Sequence, residues 1–74
     1  MLTLDINETA KNIDRLRKEA GLSVKDIQIE FGFNTPQSIY KWIRGDSMPT
    51  LDNFVILADI LNTTISNIVV TTEI

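Results

Sequence analysis

A chain of 74 residues with 43% hydrophobic content is long enough for one small packed domain and too apolar to stay disordered. It has no cysteine and no histidine. That excludes a disulfide framework and removes the commonest transition-metal ligands, the usual general base and the best nucleophile. The formal charge of −3 and a pI near 4.6, taken whole, argue against a nucleic-acid binder.

In chain order, Ile6, Ala10, Ile13, Leu16 and Ala20 recur on one face of a first helix, about 7–20, with Lys11, Asp14, Arg15, Lys18 and Glu19 mostly opposite. Asp14 and Lys18 form a favourable pair four residues apart, and Gly21 ends the helix. A second helix, about 24–31, turns Val24, Ile27 and Phe31 inward. Ser23 caps it, with Asp26 in the capping-box position. A third, about 36–44, buries Ile39, Trp42 and Ile43. Thr35 stands at its cap, Pro36 at its first position, and Gly45 closes it.

Pro49 forces extended backbone, and Thr50 caps a fourth helix with a core stripe of Leu51, Phe54, Leu57, Ala58 and Leu61. Val55, Ile56 and Ile60 make this helix apolar nearly all round, so it needs a second partner. Beyond Asn62, Thr64 caps a short fifth helix containing Ile65, Ile68 and Val69. The β-branched tail Val69–Ile74 is also suited to a strand. The expectation is an all-α, compact bundle of about five short helices, forming a single domain over 1–74.

Gly32, Phe33 and Asn34 leave only a sharp turn between the second and third helices. Two punctuated helices so joined over 23–45 read as a helix-turn-helix, the motif whose second helix enters a DNA major groove. The charge distribution softens the objection from the acidic total. Residues 23–48 balance Lys25, Lys41 and Arg44 against Asp26, Glu30 and Asp46, and the whole excess comes from Asp52, Asp59 and Glu73. The third helix carries Lys41 and Arg44 and no acid. No pair of carboxylates and no glycine-rich phosphate loop supports catalysis, so the chain reads as a non-enzyme needing no cofactor or metal. No basic-then-apolar leader is present, and no apolar run reaches the roughly 18–20 residues of a membrane span. A soluble, cytoplasmic protein is expected.

With its flanks, this region resembles the lambda-repressor-like helix-turn-helix family, the Cro/C1 or XRE family, from about residue 8 to 70. The resemblance is carried by Ile13-Asp14-Arg15-Leu16-Arg17-Lys18-Glu19-Ala20-Gly21-Leu22-Ser23 and by Thr35-Pro36-Gln37-Ser38-Ile39-Tyr40-Lys41-Trp42-Ile43-Arg44-Gly45. Met48-Pro49-Thr50-Leu51-Asp52-Asn53-Phe54 and Leu57-Ala58-Asp59-Ile60-Leu61 continue it. Three departures stand out. Gln28 occupies a place where the family usually has a small residue, and the turn is one residue longer than the commonest form. Ile43 replaces a frequent glutamate, leaving Arg17 without its expected partner.

The resemblance implies that Gln37 contacts a base edge, where a glutamine amide suits adenine N6 and N7. Lys41, one turn on, reaches guanine or phosphate, and Arg44 a phosphate. Tyr40 packs on sugar or a thymine methyl, or covers the turn. Thr35 and Ser38 offer hydroxyls near the duplex. Asn34, Lys25 and free N–H groups at the start of the second helix are candidates for the phosphate backbone, while Trp42 is structural. The implied function is a transcriptional regulator, a repressor binding double-stranded DNA as a homodimer. Ile56, Ile60 and the tail 69–74 are candidates for self-association. The rival is a protein-interaction module, an antitoxin or accessory subunit that keeps the fold as a scaffold.

Overall fold

The computed structural model describes residues 1–74. Five helices follow one another: α1 (Ile6–Glu19), α2 (Val24–Phe31), α3 (Gln37–Arg44), α4 (Leu51–Ile60) and α5 (Ile65–Ile68). They are flanked by β1 (Leu2–Leu4) and β2 (Thr71–Glu73), which pair antiparallel with Leu2 opposite Glu73 and Leu4 opposite Thr71. The bundle is all-α as expected, with this small ribbon added. The β-branched tail thus extends as a strand only after α5 has ended at Ile68, with Val69 as its C-cap.

Capping side chains set four of the helix starts. Asp5 accepts from the Glu8 N–H at 3.0 Å and starts α1. Ser23 and Asp26 form the reciprocal box on α2. Thr50 accepts from Asn53 and Thr64 from Asn67, each at 3.2 Å. Each bond satisfies a backbone donor that the helix itself leaves free. The third helix differs from expectation. Pro36, not Thr35, is its N-cap residue, and no side chain caps it. Pro36 has the bridge-region backbone of a turn (φ −84°, ψ 4°), so the bend runs one residue further and Thr35 lies outside the helix.

Nine side chains form the core: Ile13, Ile27, Ile39, Trp42, Phe54, Leu57, Ala58, Leu61 and Ile68. Each of the five helices contributes, and α3 packs against both α1 and α2. Three expected core positions are instead exposed. Ile6 and Ala20 lie at the two ends of α1, where the bundle covers them only in part, Ile6 from the side of Gly45. Leu51 shares its outer face with Val55, while burial in α4 follows the spacing of Phe54, Leu57, Ala58 and Leu61. One polar group is buried in return. Thr9 has no exposed surface, and its hydroxyl accepts from the Val70 N–H at 3.0 Å, tying the segment before β2 to α1. No helix is long and apolar enough to cross a membrane.

Candidate nucleic-acid interface

The third helix buries one side and offers the other. Ile39 and Trp42 are 0% and 3% exposed, and Ile43 is half-buried. At 100° per residue, Gln37, Tyr40, Lys41 and Arg44 fall within an arc of about 100° on the opposite side. All four are exposed, as are Ser38 beside them, Asn34 and Thr35 in the preceding turn, and Lys25 on α2. Every residue singled out in the sequence therefore stands at the surface, seven of the eight on α3 or the turn leading into it.

The turn is held from below. Gln28, half-buried on α2, donates its side-chain amide to the Phe33 carbonyl at 3.1 Å. Gly32 ends α2 in the left-handed region (φ +72°), which a side chain would strain. Phe31 and Phe33 stack at 4.8 Å, and both meet Trp42 edge-on at 5.4 and 6.1 Å. Trp42 is thus structural, as expected. The larger side chain at 28 is accommodated under the turn, where its amide bonds the Phe33 carbonyl.

At its far end α3 abuts the start of α1. Gly45 closes the helix at φ +79°, and a Cβ there would lie 3.2 Å from Asn7 Oδ1 and 3.6 Å from the Ala10 methyl. Arg17 has found substitute partners on α1 and the following loop. It donates to Asp14 Oδ1 through Nε at 3.0 Å and Nη2 at 2.7 Å, and to the Leu22 carbonyl at 2.9 Å. Partial burial pushes the Asp14 carboxyl up, but hydrogen bonds from Arg17 and Lys18 outweigh this and hold it below its ordinary value.

Two carboxylates shape the electrostatics of this face, Asp46 beside α3 and the capping-box Asp26 of α2. Arg44 donates from Nε to Asp46 Oδ2 at 3.0 Å, so the cation expected to meet phosphate is already paired. The spacing of two residues across the helix end was the available signal. At the start of α2, Asp26 Oδ2 accepts the Ser23 N–H at 2.9 Å. That backbone bond and the Ser23 side-chain bond hold the Asp26 carboxyl below its ordinary value. The free N–H groups expected there are thus partly consumed by an anion. The first turn of α3, with no capping side chain, is the end left open.

A family model for the helix-turn-helix, HTH_3, matches residues 13–68. The chain belongs to that family. Its members are helix-turn-helix proteins of the Cro/C1, XRE type, a family of DNA-binding regulators and not of enzymes. The match takes in the second half of α1 and all of α2 to α5, leaving the first half of α1, the β1–β2 ribbon and the residues next to it outside. No curated protein and no solved structure matches the chain.

Proposed function

We propose that this helix-turn-helix protein is a sequence-specific transcriptional repressor that inserts α3 into the DNA major groove as a homodimer. The observation that carries the reading is the sidedness of α3. Gln37, Tyr40, Lys41 and Arg44 share one exposed arc, while Ile39 and Trp42 anchor the other side. Gln37 and Lys41 read base edges; Tyr40 meets a sugar or a thymine methyl. Thr35, Ser38, Asn34, Lys25 and Arg44 hold the backbone, with the uncapped N–H groups of α3 beside them. One such helix reads a few base pairs, so useful specificity calls for two copies on half-sites about one helical turn, roughly 34 Å, apart.

Selection from a random duplex library at low salt, run beside Gln37→Ala, tests this. Enrichment of a two-fold-symmetric site that is lost or relaxed in the variant supports it. No enrichment by the folded protein overturns it in favour of a protein-interaction module. The Arg44–Asp46 pair and the carboxylate at the start of α2 are the observations that favour that second reading. Charge reversal at Lys41 and Arg44 separates the two, because only DNA binding requires those cations.

A further inference from the structure

Five of the ten large hydrophobic side chains exposed on this molecule are gathered at one end: Met1 (83%), Leu2 (65%), Leu4 (36%), Ile6 (46%) and Ile74 (76%). They surround the β1–β2 ribbon, whose six residues are all exposed. A two-stranded ribbon is marginal alone and gains stability from further strands or from packing against a helix. Open edges are normally guarded by lysine, proline, a bulge or a charge. The outer edge of β2 has Glu73. Leu2-Thr3-Leu4 has no such guard.

The register decides which backbone groups face outward. The Asp5 N–H donates to the Val70 carbonyl at 2.8 Å and the Ile74 N–H to the Met1 carbonyl at 3.0 Å. Hydrogen-bonded pairs alternate along an antiparallel ladder, so Thr3 bonds Thr72, and Leu2 and Leu4 direct their N–H and C=O groups to the open edge. A two-fold axis through Thr3 then makes this edge self-complementary. Leu2 of one copy faces Leu4 of the other and exchanges both hydrogen bonds with it. Across the two symmetric pairs that gives four bonds, and the four leucine side chains share one face of the sheet.

We infer that the β1 edge is the homodimer contact, forming a continuous four-stranded antiparallel sheet with a second copy of this chain. The inference rests on the dimer of the proposed function and assigns its surface. The other exposed apolar face, Leu51, Val55 and Ile56 on α4, suits a second copy less well. A two-fold about Val55 and Ile56 sets Asp52 against Asp59, and residues 45–74 hold no lysine or arginine to neutralise them. The β1 edge also lies where a dimer can serve α3. The helix ends at Gly45 against Asn7 and Ala10 of α1, directly after the ribbon. The dyad therefore brings the C-terminal ends of two recognition helices toward each other.

Sedimentation of the full chain without DNA tests the assignment, with Leu2→Pro, Leu2→Lys and Val55→Lys as variants. Leu2→Pro removes one outward donor per copy and leaves the internal ladder intact. Leu2→Lys keeps every backbone donor and places its charge across from Glu73. With helical circular dichroism unchanged, Leu2→Pro is expected to weaken dimerisation about tenfold or more, the effect of two lost hydrogen bonds, and Leu2→Lys to weaken it by taking two of the four leucines from the shared face. Val55→Lys is expected to leave the dimer unchanged, and the Leu2 and Leu4 amides of the wild type to gain exchange protection as concentration rises. A monomeric wild type, a dimer indifferent to both Leu2 variants, or one broken by Val55→Lys overturns it. DNA recognition by α3 stands or falls separately, on the duplex selection.

Discussion

The Gln28 amide reaches across the turn to the Phe33 carbonyl at 3.1 Å and joins the end of α2 to the approach of α3. The bond spans five residues and closes over the Phe31–Phe33–Trp42 aromatic cluster. Gln28→Ala leaves the Phe33 carbonyl without that donor, at an expected cost of about 1–2 kcal/mol. Urea unfolding followed by Trp42 fluorescence measures it, and a change within experimental error would make the bond incidental. Gln28→Glu is expected to be at least as damaging, because a carboxylate faces the carbonyl with no proton to donate.

If Arg44 meets phosphate as proposed, Asp46 is its competitor, since the two side chains are already paired at 3.0 Å. Asp46→Asn is expected to raise DNA affinity and to steepen the fall of log K with log salt by up to about one unit, as one more cation becomes available to the duplex. Both groups are more than half exposed, so stability should change by less than about 0.5 kcal/mol. Binding titrations at several salt concentrations give the slope, and an unchanged slope would remove Arg44 from the phosphate contacts.

Two hydroxyls that look alike in the sequence do different work. Ser23 accepts from the Asp26 N–H at 3.0 Å, and Ser23→Ala is expected to cost about 1 kcal/mol. Thr35 caps nothing, and Thr35→Ala should stay within about 0.5 kcal/mol. Parallel denaturation curves make the comparison. A Thr35→Ala protein of wild-type stability and reduced DNA affinity would place this hydroxyl at the phosphate backbone.

Acid should weaken the fold through Asp14 and Asp26. Both carboxyls are held below their ordinary value of 3.8 in the folded chain. The stability they contribute is therefore present above that value and is lost as pH falls through the lower folded one. Asp14→Asn should reduce stability at neutral pH and flatten the decline below about pH 4. Urea midpoints between pH 2 and 7 show whether the two curves converge in acid.

Punctuation made most of the fold legible. Ser23, Thr50 and Thr64 cap where a short polar side chain precedes an apolar run, and Gly32 and Gly45 stop helices where a left-handed residue is needed. Thr35 failed because the following proline took the turn conformation itself, which no local pattern distinguishes from a first helical residue. Leu51 failed because a helix apolar nearly all round does not mark where its buried arc ends, and Leu51 falls on the Val55 side of that limit. The exposed face of α3 was readable from its 3.6-residue period. Its partners were not: Asp46 on Arg44 and Gln28 on Phe33 depend on loop geometry that spacing alone does not fix. The β-branched tail signalled a strand, but its pairing with Leu2–Leu4 joins opposite ends of the sequence.

That pairing has a kinetic consequence. Leu2 meets Glu73 across almost the whole chain, so the ribbon closes the largest loop the molecule has and gains only a three-residue ladder in return. The contacts of α2 with α3 and of α4 with α5 are local and carry no such entropic cost. The short, fully exposed ribbon is therefore the place where the molecule is expected to open first. Thr9 holds Val70 at the hinge of that opening, so a lost hydroxyl there would let the strands part while the recognition helix stayed folded.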